Sequence, residues 1–416
     1  MSNPWLTAAR LPAGPAAVLA ALHLGDPRPQ SLARLRDADW RAALEFSNRS
    51  QITLALRRRA RDFMPPWVRA ITDENAAHNG ERLAVVEELY RSISRRLGDA
   101  GIEFLALKGL TQCPLFGTQP QDRPQYDVDL YLPRETIFTA RDLLHAAGFE
   151  SMEGMERFPT DHLPALIRKT GWQYRGDVFD PKMPLAIELH FQFWNGNLER
   201  LPAPGVEEFW ARRVLRANLR LPALAEPDAL AYACLHLLKH ILRGSARPFH
   251  VYEVACFLQS RANDGPFWNR WRSLHPAGLR RLQAVAFRLA TEWFGCATGP
   301  AQEEMAQLPQ ATRTWFDRFA LAPALAPFDA NKDELWLHLS LLQSRADALA
   351  VTRRRLFPSR LPAAVDAVYV PNADMNWRRR ATRKFRWIGY AASRLARHAA
   401  ALPSVMRSGA RWWWAT

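Results

Sequence analysis

The sequence predicts an α+β protein in which a mixed β-sheet lies between helical regions. Between about residues 99 and 200, short apolar runs bounded by glycine and proline alternate with helical patterns, which is typical of a sheet covered by helices. On either side of that segment, apolar residues recur at steps of three and four, which indicates helices. We therefore expect an N-terminal helical region over 1–98, a sheet core over 99–200, a helical domain over 201–350 and a tail over 351–416.

Two stretches ahead of the predicted sheet have the helical pattern. In the first, an apolar stripe begins at Trp40 directly after two acidic residues, so either Asp37 or Asp39 is the expected N-cap. The second helix is expected from Arg82 to Leu97. The chain then changes character at Gly101, where a short and mostly apolar run begins.

The core segment predicts short strands with helices and turns between them. Gly148 is the expected C′ residue of the helix that precedes it. Asp180–Pro184 is rich in turn-forming residues, so the last two strands are expected to form a hairpin. The predicted elements are a strand at Ile102–Leu107, a short helix at Leu110–Phe116, a strand at Asp127–Leu132, a helix at Arg134–Ala147, and strands at Trp172–Phe179 and Leu185–Phe193.

From Val206 onward the sequence predicts helices alone. Pro227 and Asp228 begin the clearest one, since proline is favoured in the first turn of a helix. Further helical patterns cover Val251–Leu258, Leu279–Phe294, Ala311–Leu321 and Lys332–Leu349.

The second predicted strand carries two aspartates that point to the same face. Side chains two apart on a strand project together, so Asp127 and Asp129 lie side by side, and two neighbouring carboxylates repel each other unless a cation lies between them. Glu188 supplies a third carboxylate on a strand of the same predicted sheet, with His190 on its face. Oxygen ligands of this kind suit Mg²⁺. Taken alone, two aspartates at this spacing are more often a solvated face than a metal site.

A lysine and a glycine about twenty residues upstream add a phosphate-binding element. A strand, a glycine turn and a helix bring backbone N–H groups against a phosphate, and here Lys108 and Gly109 occupy the turn. Arg123 lies just before the acidic strand. It either holds a phosphate or supports Asp127, or else it simply pairs with Asp122 or Asp127.

These pieces, in this order, resemble the nucleotidyltransferase superfamily, and more narrowly a large bacterial family of uncharacterised nucleotidyltransferases. The resemblance covers most of residues 30–365. One departure from the superfamily is that Lys108 precedes the glycine and Leu110 follows it, where a Gly-Ser or Gly-Gly pair is usual. The segments that carry the resemblance are Leu107-Lys108-Gly109-Leu110, Arg123-Pro124-Gln125-Tyr126-Asp127-Val128-Asp129-Leu130 and Ile187-Glu188-Leu189-His190.

The resemblance implies a nucleotidyltransferase-type fold and a reaction. Asp127 and Asp129 would bind Mg²⁺ and a nucleoside triphosphate, and Glu188 would complete the metal site and orient or deprotonate the acceptor. Gly109 matches the glycine of the phosphate turn. Lys108 would contact the triphosphate as a point charge. The implied activity is transfer of a nucleoside monophosphate to an unknown hydroxyl acceptor with release of pyrophosphate.

Two other functions are compatible with the same residues. One is a toxin-like enzyme that modifies tRNA or another RNA, and the other is a catalytically inactive binding protein with this fold. Beside the acidic residues, His190 is a candidate for substrate contact. His236 and His240 share a helical face, where they form either a zinc site or, more in keeping with the absence of a nearby glutamate, a histidine pair that lines the cleft.

Most of the positive charge is in the tail. The net charge is +15, and the residues from Val351 to Thr416 contribute +12 of it, with 14 basic and 2 acidic residues. Residues 377–414 have the pattern of a basic amphipathic helix followed by tryptophans, which fits an anionic membrane surface, nucleic acid or the body of the protein itself.

The cysteine pattern and the hydropathy indicate a cytoplasmic protein. The four cysteines form no metal-binding pattern and are expected to be reduced. No apolar run reaches the roughly 18 residues needed to cross a bilayer. We expect a cytoplasmic location, with peripheral attachment to the inner membrane surface as the alternative that the tail leaves open.

Overall fold

Helices fill the chain ahead of the sheet. The computed structural model describes residues 11–113, 115–152, 161–216, 219–328, 331–358 and 374–415. The second helix begins at Asp37 with Arg36 as its N-cap, and Asp39 accepts a hydrogen bond from the Arg36 backbone N–H, so neither predicted aspartate is the N-cap. The helices are α1 (Ala13–Leu22), α2 (Asp37–Ser50), α3 (Thr53–Ala60) and the long α4 (Pro66–Asp99).

Seven strands form one mixed sheet in the order β3-β4-β5-β2-β1-β7-β6. The two central strands, β5 and β2, are parallel, while β1 runs antiparallel to β2 and parallel to β7. The fold is therefore α+β with a mixed sheet, as predicted. The elements are β1 (Leu105–Ala106), β2 (Asp127–Tyr131), α5 (Ile137–Ala146), β3 (Glu150–Ser151), β4 (Leu166–Ile167), β5 (Ala186–His190), β6 (Val214–Arg216) and β7 (Leu221–Ala223).

The predicted hairpin is wrong in its first strand. Among the described residues, 172–179 form no strand, and the antiparallel neighbour of β5 is β4 instead. The Asp180 carboxylate accepts hydrogen bonds from the Trp172 indole at 2.7 Å and from the Lys182 backbone N–H at 2.8 Å. These side-chain bonds close the segment into a loop, so its backbone does not extend along β5.

Other predicted elements differ in extent. The first strand is limited to β1, and of the predicted helix at Leu110–Phe116 only a 3₁₀ helix at Gly109–Thr111 is present among the described residues. After Val206, where helices alone were predicted, β6 and β7 extend the sheet to Ala223. Their apolar pattern is three residues long, which is too short to distinguish a strand from a helix. The predicted domain boundaries stay a prediction.

Helices make up the rest of the described chain. The predicted helix at Lys332–Leu349 is two helices, because Ser344 caps a new one by accepting a hydrogen bond from the Asp347 backbone N–H. No described helix is long and apolar enough to cross a membrane. The helices are α6 (Gly196–Glu199), α7 (Glu226–Leu242), α8 (Pro248–Arg261), α9 (Gly265–Leu274), α10 (Ala277–Phe294), α11 (Ala301–Ala306), α12 (Gln310–Phe319), α13 (Ala322–Leu325), α14 (Glu334–Leu341), α15 (Arg345–Leu356) and α16 (Trp377–Trp413).

The two faces of the sheet contact different cores. Val128 and Leu130 of β2 and Ile187 and Leu189 of β5 are buried against α4 and α5. On the opposite face, Tyr131 packs against a larger helical core that combines α1–α3 with α7–α10. The acidic residues of β2 and β5 alternate with these four apolar residues, so they face the helical core on the opposite side.

A buried arginine on α4 fixes the segments that lead into the two central strands. Arg82 is 2% exposed, and its guanidinium donates to the backbone carbonyls of Gln125 at 2.8 Å and of Met183 at 2.8 Å. Gln125 lies two residues before β2, and Met183 lies three residues before β5. Arg82 therefore sets the approach of both strands that carry the acidic residues.

Gly109 has a backbone that other residues rarely adopt, in a site with no room for a side chain. Its φ is 70°, and a Cβ there would be 2.4 Å from the side-chain nitrogen of Gln125. That nitrogen donates to the Asp127 carbonyl at 2.8 Å. Glycine at this position thus lets Gln125 hold the start of β2.

We expect Arg82→Ala to lower the free energy of unfolding by about 3 kcal/mol, because buried carbonyls lose a charged donor. Denaturant titration measures the change. Arg91→Ala on the same helix is the matched control, since Arg91 is exposed and its ion pairs within the described part of the chain are with exposed glutamates. The control should change stability by less than about 0.5 kcal/mol. Equal effects in the two variants would contradict the role of Arg82.

We expect Gly109→Ala to destabilise the protein by about 2 kcal/mol or more, through the positive φ and the clash with Gln125. Gly80→Ala in α4 is the control, because a Cβ there has no neighbour within 4 Å. It should leave stability unchanged or raise it by up to about 1 kcal/mol, since alanine favours the helix. If both alanines stabilise, the proposed constraint at Gly109 is absent.

Candidate active site

Three carboxylates meet on the face of the sheet that is turned toward the helices. In the parallel pair of β2 and β5, Asp129 lies directly beside Glu188, and Asp127 is two residues earlier on the same face. Their shared face follows from strand alternation, and the register brings the two strands' acidic residues together. The structure therefore groups Asp127, Asp129 and Glu188 as the sequence predicts, while their chemical roles are not decided by position alone.

Asp129 is buried between two cationic side chains. It is 1% exposed, and its Oδ1 lies 2.9 Å from Lys108 Nζ and 3.1 Å from His190 Nε2. Burial alone would raise the pKa of Asp129, but Lys108 and the hydrogen bond with His190 hold it below its usual value. The same pairing keeps the pKa of Lys108 above its usual range, against the effect of burial.

His190 lies beside two of the carboxylates, Asp129 and Glu188. Burial lowers its pKa, but hydrogen bonding to Asp129 and Glu188 outweighs this and raises it to about 9. Its Nε2 is 3.6 Å from Glu188 Oε2, and its Nδ1 is 3.8 Å from Asp161 Oδ2. At 1% exposure, His190 has almost no surface available for the substrate contact that the sequence suggested.

Asp127 differs from the other two carboxylates because no cation is bonded to it. Among the described residues, no hydrogen bond or ion pair is made by its carboxylate, and burial together with repulsion from Asp129 raises its pKa to about 6. Glu188, in contrast, has a lowered pKa because His190 and His162 offset its burial. Asp127 is thus the carboxylate whose charge is least compensated.

The cluster can hold a divalent cation. One ligand atom each from Asp129, Glu188 and His190 lies within 4.8 Å of the others. This set differs from the predicted one, because His190 takes the place of Asp127. Carboxylate oxygens suit Mg²⁺ and Mn²⁺, whereas an imidazole ligand favours softer metals. Asp127, the remaining predicted ligand, lies two residues before Asp129 on the same face of the sheet.

Lys108 connects the acidic cluster to a group of histidines on the helices. Besides Asp129, its ammonium lies 3.2 Å from His236 Nε2. His236 and His240 on α7 have their Nε2 atoms 3.1 Å apart, and the ring of His250 on α8 is 4.8 Å from that of His236. We call His236, His240 and His250 the histidine cluster.

Burial disfavours a positive charge on the histidine cluster. Burial, followed by the nearby charges of Lys108, Lys239 and Arg247, lowers the pKa of all three imidazoles, that of His240 to about 3. A neutral imidazole has one N–H donor and one acceptor. The sequence indicated the pair on α7 as lining a cleft, but it gave no sign of His250, because no residue spacing links the two helices.

Arg123 has a partner that neither interpretation of the sequence included. Its Nε donates to Glu253 Oε1 on α8 at 2.8 Å, and the guanidinium lies over the ring of Phe249. Asp122 pairs with Arg58 instead. Arg123 therefore attaches the loop before β2 to α8, and we leave it out of the proposed nucleotide contacts.

A second buried ion pair lies next to the acidic cluster, and the sequence analysis did not predict it. Asp161 is 2% exposed and accepts a hydrogen bond from Lys239 of α7 at 2.8 Å. Its other close charged neighbour is His190. No motif marks Asp161, which lies five residues before β4.

Comparison with known proteins identifies one family. The profile of one family, described as "Uncharacterised nucleotidyltransferase", matches residues 36–295. No curated protein and no solved structure matches the chain. The matched range contains the whole sheet, the acidic cluster, Lys108 and the histidine cluster. The chain belongs to this family of uncharacterised nucleotidyltransferases.

Proposed function

We propose that the protein is a Mg²⁺-dependent nucleotidyltransferase that transfers a nucleoside monophosphate from a nucleoside triphosphate to a hydroxyl acceptor. The observation that carries this proposal is the position of Asp127, Asp129 and Glu188 on one face of the sheet, with Lys108 beside Asp129. The reaction requires a cation site and a phosphate site. The carboxylates can supply the first, and the neighbouring lysine can supply the second. Because its substrate is a nucleoside triphosphate, the protein would act in the cytoplasm.

The three carboxylates would hold the cation. When bound, Mg²⁺ would polarise the α-phosphate and neutralise charge that develops on it. Asp127 is best placed to gain from this, because it has no other charged partner bonded to it. His190 would remain beneath Asp129 and Glu188, where it keeps both carboxylates oriented.

Lys108 would change partners when the nucleotide binds. Its ammonium now lies between Asp129 and His236. From this position, the Lys108 ammonium would contact the β- and γ-phosphates as a point charge. The N–H groups of the histidine cluster would form the wall beyond it, where they donate to the phosphates without the cost of burying further charge.

The transfer itself is a displacement at the α-phosphorus. A bond forms from the acceptor oxygen to the α-phosphorus, and the bond from that phosphorus to the oxygen that bridges to the β-phosphate breaks. Pyrophosphate leaves with the electron pair. Glu188 would orient the acceptor hydroxyl, and the proton of that hydroxyl would pass to Glu188 or to water.

The reaction class is tested by the position of a label. With Mg²⁺ or Mn²⁺ and an extract as the source of acceptor, we expect transfer of label from α-³²P-labelled but not from γ-³²P-labelled nucleoside triphosphate. Asp127→Asn should abolish transfer without lowering the unfolding midpoint, because it removes a repulsive charge. Asp142→Asn on α5, where the side chain is 64% exposed, is the matched control.

Transfer of the γ-label would instead indicate a phosphotransferase. Normal turnover by Asp127→Asn would overturn the assignment of the acidic cluster. Nucleotide binding without any transfer would favour the inactive binding protein.

The role of the histidine cluster is tested by comparing a triphosphate with a monophosphate. We expect His236→Ala and His240→Ala each to weaken nucleoside triphosphate binding about tenfold or more, since a hydrogen bond to a charged phosphate is lost, and to leave monophosphate binding unchanged. Calorimetric titration measures both ligands. His145→Ala on α5 is the control, because its imidazole bonds to the nearby Phe149 carbonyl, away from the cluster. Equal weakening of both ligands would contradict a triphosphate contact.

A further inference from the structure

The C-terminal helix α16 contacts the body of the protein along one face of its last third. Its buried residues are Ala401, Val405, Ser408, Gly409 and Trp412. Trp336 of α14 stacks on Trp412 at 5.8 Å and donates its indole N–H to Ser408 at 3.0 Å. A Cβ on Gly409 would lie 2.3 Å from the Trp336 ring, so glycine permits this close approach.

A second, apolar face of α16 is exposed. Trp377, Phe385, Ile388, Leu395 and Met406 are 73%, 75%, 46%, 66% and 68% exposed, and no residue from 377 to 400 is buried. With 3.6 residues per turn, this apolar stripe lies about 120° around the helix from the face that docks on the body. Docking on the protein therefore does not explain the stripe, which continues past the docked section.

The charge of α16 is entirely of one sign. Residues 377–413 include ten arginines and lysines and no acidic residue. Burying the stripe against the same helix of a second copy would bring these charges together, and like charges at close range repel. The apolar stripe and the positive charge both suit a partner with an apolar interior and a negatively charged surface. The basic residues are Arg378, Arg379, Arg380, Arg383, Lys384, Arg386, Arg394, Arg397, Arg407 and Arg411.

We propose that α16 binds the surface of an anionic lipid bilayer, with its apolar stripe in the headgroup boundary and its arginines on lipid phosphates. Helices with a wide basic face and exposed aromatic and aliphatic residues on the other face adopt this position. Nucleic acid is the weaker fit, because phosphate contacts use the basic face and leave Ile388, Leu395 and Met406 in water. This proposal is independent of the reaction at the sheet.

The C-terminal contact with Trp336 gives the proposal a structural consequence. Because Gly409 and Trp412 fix the end of α16 to the body, lipid binding would hold the whole protein at the membrane surface in a defined orientation. The helix is about 55 Å long at 1.5 Å per residue, so it extends well beyond its buried section from Ala401 to Trp412.

The test is binding of the full chain to vesicles. Phosphatidylcholine vesicles with about 30% phosphatidylserine should bind the protein at least about tenfold more tightly than pure phosphatidylcholine vesicles. The double variant F385S/L395S should lose most of this binding at unchanged unfolding midpoint, since both side chains are exposed. T382S/S393A, on the polar side of the same helix, is the matched control.

Three outcomes would overturn the proposal. The first is vesicle binding that F385S/L395S leaves intact. The second is absence of binding to anionic vesicles while transfer RNA binds tightly through the arginines. The third is a dimer, detected by analytical ultracentrifugation, that dissociates in F385S/L395S.

Discussion

The ion pairs of Asp129 are the constraint on which the rest of the site depends. A carboxylate that is 1% exposed is stable in its charged form only when cations and hydrogen bonds compensate it. Lys108 and His190 supply both, from the turn after β1 and from the end of β5. Lys108 also contacts His236 on α7. The buried charge of Asp129 therefore links β1, β2 and β5 to the helices that cover this face of the sheet.

The site therefore contains two kinds of carboxylate. Asp129 and Glu188 are compensated by protein cations, whereas Asp127 is not. Asp127 is therefore the carboxylate that would gain most from a divalent cation held at the site. In this account, Lys108 pairs with Asp129 when the site is empty, and it contacts a phosphate when metal and nucleotide are bound.

Strand alternation is local, so the sequence was sufficient to predict that Asp127 and Asp129 share a face. Contacts between residues that are far apart in the sequence could not be predicted in this way. The hairpin at Trp172–Phe179 was wrong because side-chain bonds to Asp180 close that segment into a loop, and β4 has only two residues, which carry too little pattern to be recognised. His250 was missed because its neighbours in space lie on another helix.

The tail shows the same limit. Helical periodicity correctly indicated an amphipathic helix from Trp377, but it did not identify the docking face, which is made of small residues and one tryptophan. Shape complementarity between Gly409 and Trp336 decides that contact, and no hydrophobic pattern reports it.

The central claim is that the acidic cluster binds a cation and that Lys108 then moves to phosphate. A crystal structure with Mn²⁺ and a non-hydrolysable nucleoside triphosphate analogue tests it directly, because Mn²⁺ is located by its anomalous scattering. The account predicts Mn²⁺ on Asp127 and Asp129, with the ammonium of Lys108 on a phosphate oxygen. Mn²⁺ bound elsewhere, or Lys108 still paired with Asp129 beside a bound nucleotide, would contradict it.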